Sequence, residues 1–248
     1  MSKKQTFESN RRKTVVTIRA QIYPEKGGIH SLIVDTPKKP LKTLAEYLGS
    51  KEDKIVNWLM NDLGFKKELY EKLFNGEKNV HYFKTVEEPF TRNGENPGDI
   101  DLIVFKDINK AIAFECKIVK ATSQPNGKVK INKAKKLKEG ALQTNDYLKF
   151  GFSQVYFLIV ILDDGRYYDK ENFIFNHTPE EYLPQVYNGS WKEKLDERIG
   201  IIYCTIEMTR NLSVNVNNNI SLKIKKIAVT NEQNNKTSQL LKEFIKYN

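Results

Sequence analysis

Unbroken and alternating apolar runs divide this chain into strands and helices. TVVTIRAQIY (14–23) and IHSLIV (29–34) predict a strand pair turning at Pro24–Gly28. Over 41–75, Leu44, Leu48, Ile55, Leu59, Leu63 and Leu69 recur near helical spacing. Ser50 is a suitable N-cap ahead of Glu52 and Asp53, and Gly64 marks the expected helix end. VHYFKTVEEPF (80–90) and DIDLIVF (99–105) predict strands separated by the turn TRNGENPG (91–98). KDINK (106–110) is short enough to make 99–105 and 111–119 an antiparallel hairpin. Residues 122–132, with Pro125 and Gly127, predict a polar loop, and 133–149 a helix. QVYFLIVIL (154–162) is apolar throughout, as a central strand covered on both faces is.

Beyond Asp163 the pattern is weaker. FIFN (173–176), IGIIYCTIEM (199–208) and ISLKIKKIAV (220–229) predict strands, PEEYLPQVY (179–187) a helical turn, and 236–246 a last helix. Ile220, Leu222 and Ile224 alternate with Ser221, Lys223 and Lys225, which gives that strand one wet face. No repeat or long linker interrupts the chain. The expected organisation is one domain over 1–248, with a core at about 45–162 and elaborations at 1–40 and 165–248.

One strand breaks the pattern. AIAFECKIVK (111–120) is apolar, yet Glu115 and Lys117 stand in its middle. Residues two apart in a strand share a face. Ile112, Phe114, Cys116 and Ile118 therefore form a greasy layer, while Ala111, Ala113, Glu115 and Lys117 line the other side. In the preceding strand Ile100, Leu102 and Val104 share one face, and Asp99 and Asp101 lie on the other. The hairpin brings an Asp near Glu115. Two such carboxylates repel unless a cation sits between them, and Mg²⁺ suits one or two carboxylates, several waters and a substrate phosphate. A lysine two residues on would stand beside the metal-bound water. The plain alternative is a same-face ion pair on a sheet side open to water, which is worth little.

Charge sharpens the picture. The 248 residues carry 41 Lys+Arg against 31 Asp+Glu, a net +10, which favours a polyanionic partner. From Lys117 to Lys138 there are eight lysines and no acid. Lys120, Lys128, Lys130, Lys133, Lys135 and Lys136 are the candidates for nucleic-acid backbone contacts; the alternative is a solvated loop and helix face. Lys3, Lys4, Arg11, Arg12 and Lys13 would add to that charge. No apolar run reaches the roughly 20 residues of a membrane helix, and the polar N-terminus carries no secretion signal. Cys116 and Cys204 belong to no metal motif, and His30, His81 and His177 have no metal spacing, so a reducing cytoplasm fits best.

Gly98-Asp99-Ile100-Asp101, a short hairpin and Glu115-Cys116-Lys117 resemble the PD-(D/E)XK nuclease superfamily. That family has an Asp at a strand start and (D/E)-x-K on the next strand. Asp101 matches the first acid, Glu115 the second and Lys117 the lysine. Members often add an acid on the preceding helix, matched here by Glu52 with Asp53 and Glu46 behind it. Many carry a Gln on the following helix, matched by Gln143, with Tyr147 one turn on. Pro97 is separated from Asp99 by Gly98, so Asp99 competes with Asp101 for the first position. Glu52 and Gln143 read equally well as ordinary helix residues, and a second E-x-K, Glu52-Asp53-Lys54, reads as solvated surface.

The resemblance covers about residues 45–162. It implies an α/β fold with a restriction-endonuclease-like core: a central mixed β-sheet flanked by helices, with strands added at both termini. It implies a Mg²⁺-dependent endonuclease, Mn²⁺ substituting, that hydrolyses duplex DNA to leave 5′-phosphate ends. Asp101, Glu115 and the Cys116 backbone carbonyl would hold the metal, and Lys117 would position the attacking water. Glu52 would support a second metal or the hydration shell, and Gln143 would orient Lys117. A homodimer acting in restriction or another defence against foreign DNA is the expected setting, with repair next. An idle or partner-activated nucleic-acid-binding module and an RNA-directed nuclease are the alternatives. Residues 120–140 contain no aromatic side chain for stacking on single strands, which favours duplex DNA.

Overall fold

Strand pairing in the computed structural model is fixed by the apolar runs. The structure describes residues 3–7, 16–23, 28–35, 52–76, 79–86, 90, 98–123, 129–132, 134–163, 183–208 and 218–247. The chain divides into two compact units, Met1–Lys42 and Thr43–Asn248, where the sequence reading had one domain. The first unit is an antiparallel sheet of β1 (Lys3–Phe7), β2 (Val16–Tyr23) and β3 (Gly28–Asp35) in that order. The β2–β3 pair is the predicted one; β1 had no clear pattern.

The second unit is built on a mixed seven-stranded sheet flanked by helices. Its strands are β4 (His81–Val86), β5 (Ile100–Phe105), β6 (Ile112–Ser123), β7 (Val129–Asn132), β8 (Gln154–Asp163), β9 (Gly200–Met208) and β10 (Asn218–Lys226). The order is β10-β9-β8-β6-β5-β4, with β7 paired to the far end of β6. β6, β8 and β9 run parallel, and the remaining pairs are antiparallel. β8 is buried from Val155 to Leu162, as its unbroken apolar run requires. β9 and β10, which the sequence reading put in a C-terminal elaboration, complete this same sheet.

Two cores sandwich the sheet. Helices α1 (Glu52–Asn61) and α2 (Leu63–Phe74) cover one face with Ile55, Leu59, Met60, Phe65 and Leu69, against Phe114, Cys116, Leu158 and Cys204. Helix α3 (Lys136–Tyr147) covers the other with Leu137, Ala141 and Tyr147, against Ala113, Phe157 and Ile159. On that same side the short helix α4 (Pro184–Tyr187) and Trp191 pack beside Tyr203. The C-terminal α5 (Asn235–Tyr247) buries Leu241.

Three expectations are corrected. The helix over 41–75 does not end at Gly64. It breaks at Asp62, whose extended backbone (φ −80°, ψ 122°) and side chain cap α2 through the Phe65 N–H at 2.8 Å. The polar segment 122–132 is not all loop, because β6 runs on to Ser123 and pairs with β7. Ile100 does not share a core with Leu102 and Val104; it joins Val86 and Phe90 in the α3-side core. FIFN (173–176) and the proposed cap Ser50 lie outside the described residues.

A buried amide ties the C-terminal segment to the β5–β6 hairpin. Gln233 Oε1 accepts from Ala111 N at 2.7 Å, and its Nε2 donates to Ile108 O at 2.7 Å and Ser238 Oγ at 2.9 Å. Gln233→Ala leaves buried donors and acceptors unpaired, so it should destabilise the fold by about 2–3 kcal/mol. Urea unfolding measures this, and a loss below about 0.5 kcal/mol would show the amide to be incidental.

Candidate active site

Registered pairing of β5 with β6 covers Leu102↔Phe114, Ile103↔Ala113 and Val104↔Ile112, then stops. Asp101 and Glu115 are the next residues on the two strands. Instead of a further ladder bond, Asp101 Oδ2 accepts the Cys116 N–H at 2.7 Å. On its other side β6 stays paired to β8, with Glu115 level with Phe157 and Lys117 level with Ile159. Glu115 and Lys117 therefore find their polar partners in each other and in side chains from α1 and α3.

Those partners converge on one open cleft of about 470 Å³, lined by Glu52, Asp53, Thr85, Asp99, Asp101, Glu115, Lys117, Lys136 and Gln143. Glu52 arrives as the first residue of α1, Lys136 and Gln143 from α3. Asp101, Glu115, Lys117, Glu52 and Gln143, chosen from sequence, thus meet in one place. Asp101 is 9% exposed, Glu115 2% and Lys117 6%. The alternative of an ion pair on a wet sheet face is therefore excluded. Asp99 lies exposed at the rim, while Asp101 is inside, bonded to β6 and next to Glu115. Gly98 precedes them at φ 89°, a left-handed turn that favours glycine.

Lys117 Nζ is hydrogen-bonded to Glu115 Oε1 and stands 3.5 Å from Glu52 Oε2. Lys136 Nζ stands 3.6 Å from Glu52 Oε1, a buried oxygen with no hydrogen-bond partner among the described residues. The Tyr147 hydroxyl reaches Glu115 Oε2 and, at 2.8 Å, the Asp99 carbonyl. Gly140 lets α3 pass close to β6: a Cβ there would lie 2.5 Å from Lys117 Cγ and 2.8 Å from the Phe157 ring. Sequence reasoning noted Tyr147 only by its helical spacing from Gln143, and missed Gly140 and Thr85. Positions 140, 143 and 147 recur at helical spacing, and that stripe was the available signal.

Burial pushes the Asp101 carboxyl well above the usual range, and the Glu115 charge pushes it further. Burial also raises Glu115, against the pull of Lys117 and the Tyr147 hydrogen bond. Burial would lower Lys117, but Glu115, Asp101 and Glu52 outweigh it and hold the ammonium charged. Lys117 in this state is a donor and a positive charge, not a base. Five acids face two lysines in the cleft, on a chain of net charge +10. This excess, and a Glu52 oxygen that has an ion pair at 3.6 Å but no hydrogen bond among the described residues, fit a divalent cation. Among the described residues no three His, Cys, Asp or Glu side chains cage an ion. A pair of carboxylates leaves coordination to water and substrate, which is how Mg²⁺ is ordinarily held.

The lysines divide. Lys136 is in the cleft, Lys130 and Lys135 are exposed on β7 and just before α3, and Lys120 is half-buried on β6. Lys128 and Lys133 lie outside the described residues. The Cys116 thiol is buried on the opposite face, which leaves only its backbone for the site. His81 is exposed and stacks on Phe105 at 5.5 Å, outside the cleft. No helix among the described residues is long and apolar enough to cross a membrane.

No protein-family model matches the chain, and no curated protein matches it.

Two outcomes follow from this geometry. The acids' raised folded-state values mean that the native state holds more protons than the unfolded chain above about pH 4. Stability of the metal-free protein should therefore fall as pH rises from there through the native values. Asp101→Asn should remove part of that fall and raise metal-free stability by about 1 kcal/mol near neutral pH. Thermal unfolding at several pH values tests this, and equal profiles for both proteins would contradict it. Thr85 sits at φ 51°, a costly conformation for a β-branched residue, at the cleft wall. Thr85→Gly should gain about 1 kcal/mol in urea unfolding.

Proposed function

We propose that the chain is a Mg²⁺-dependent endonuclease acting on duplex DNA, in restriction or another defence against foreign DNA. The observation that carries this reading is the buried Asp101–Glu115–Lys117 set where β5 and β6 part company. A restriction-endonuclease-like core, as the sequence resemblance implies, is the fold to which such an arrangement belongs.

Asp101, Glu115 and the Cys116 carbonyl would hold Mg²⁺, with Glu52 at the edge of its water shell. The bound ion would supply charge neutralisation on the phosphate and a more acidic water. Lys117 donates from Nζ, which suits it to hold the attacking water in line and to offset charge building on the phosphate. Its present bond to Glu115 sets its height in the cleft, and Gly140 leaves room for its stem. Gln143 faces the same cleft and is placed to steady the water or the scissile strand. Lys136 can leave Glu52 for a phosphate oxygen once a cation takes over neutralising Glu52. Lys130 and Lys135 would follow the backbone away from the cut, which gives affinity without sequence information. Two copies acting together would cut both strands of a duplex.

The test is cleavage of supercoiled plasmid, linear duplex, single-stranded DNA and RNA with Mg²⁺ or EDTA. Duplex DNA should be cut only with Mg²⁺, and Glu115→Ala and Lys117→Ala should each lower the rate by on the order of 10³-fold or more. Both variants should still bind DNA, with affinity falling steeply as salt rises. Retained binding with no cutting by the wild type would favour the idle or partner-activated module. Cutting of RNA alone would transfer the proposal to that substrate.

A further inference from the structure

We infer that Tyr147 is a positioning residue that sets how Glu115 meets the cation, and thereby selects a small ion over a large one. This rests on the reading of Asp101 and Glu115 as a metal-binding pair. The ladder that would fix the distance between their strands stops one residue short of them. Two side chains take its place. Asp101 reaches across to the Cys116 N–H, and the Tyr147 hydroxyl lies within hydrogen-bond reach of both Glu115 Oε2 and the Asp99 carbonyl, two residues before Asp101, with its one proton shared between them. One phenol group thus ties the acid on β6 to the start of the strand carrying the other.

The tie is stiff. Tyr147 is fully buried, its ring lies 6.4 Å from that of Phe150, and a phenol has no rotamer that moves the oxygen without moving the ring. It also makes the two oxygens of Glu115 unequal. Oε2 is committed to Tyr147, and Oε1 is held by Lys117 Nζ, which a cation can displace. Oε1 is therefore the readier ligand, held at a fixed place. Mg²⁺ binds single oxygens at about 2.0–2.1 Å in strict octahedral geometry, whereas Ca²⁺ takes longer bonds and readily uses both oxygens of a carboxylate. Removing the hydroxyl frees Oε2 and loosens the strand spacing, and both changes favour the larger ion.

Tyr147→Phe keeps the ring and its packing while deleting the tie. Mn²⁺ binding is followed by electron paramagnetic resonance, with Mg²⁺ or Ca²⁺ added as competitor and no DNA present. The concentration of Mg²⁺ that displaces half of the Mn²⁺ should rise about tenfold in Tyr147→Phe, while that of Ca²⁺ should hold or fall. Leu142→Ala, at an exposed position on the same helix, should leave the ratio of the two unchanged. A role confined to fold stability would weaken both ions in parallel, and a Mg²⁺/Ca²⁺ ratio within about twofold of wild type overturns the inference. Wild type that binds no Mn²⁺ overturns the metal reading itself, and this role with it.

Discussion

Two carboxylates and an ammonium removed from water cost several kcal/mol each before any pairing. The second unit bears that cost at Asp101, Glu115 and Lys117 by giving every charge a fixed partner. The ladder between β5 and β6 stops early, and the freed space is filled by the Asp101 side chain on the Cys116 N–H. Lys117 turns toward Glu115, and Tyr147 closes the remaining side. A fully paired sheet would have no room for the acids, and an open edge would leave them in water. Early termination inside an otherwise continuous sheet gives a polar slot with apolar walls, since Phe157 and Ile159 on β8 continue the core beside it.

That slot inverts the charge of the molecule around it. The chain is strongly basic, yet the cleft holds five acids and two lysines. A polyanion drawn by the outer lysines would be repelled at the bottom of the cleft unless a cation is bound there. On the proposed function a divalent ion would reconcile attraction over the surface with repulsion at one point, by turning the repelling place into the strongest local positive charge. The same ion would relieve the raised Asp101 and Glu115 values and give the Glu52 oxygen a closer partner than Lys136.

The strands of this site were legible because period-2 parity is strict. Glu115 and Lys117 had to share a face with Ala111 and Ala113, and the short KDINK turn could bring one of Asp99 and Asp101 beside them. Glu52 and Gln143 could be placed on helices but not aimed, since a helix has no parity that says which side meets a sheet's interrupted ladder. The break at Asp62 was missed because Leu59, Leu63 and Leu69 keep an apolar rhythm across it, while the cap depends on backbone dihedrals. Ile100 departs from its predicted core beyond the point where pairing with β6 ends, and strand parity presumes a regular strand. The extension of β6 into β7 was hidden by polar residues, because that hairpin is held by backbone pairing and not by burial.

Helix α3 shows what the site asks of its scaffold. Lys136 approaches Glu52, Gly140 lies against the Lys117 stem, Gln143 faces the cleft and Tyr147 reaches Glu115. Steps of four, three and four residues keep all of these on one stripe about 16 Å long. A glycine inside a helix costs about 1 kcal/mol relative to alanine, and tyrosine, here the last residue of α3, is a poorer helix former than leucine. Both residues are therefore unfavourable for the helix taken alone. Gly140 is tolerated because any Cβ would collide with Lys117 and Phe157, and Tyr147 because its hydroxyl meets two acceptors at the slot. The helix gives up intrinsic stability at the two positions where it touches the charged strand. Local propensity and global fold conflict at those positions because the slot imposes its own geometry on the helix above it.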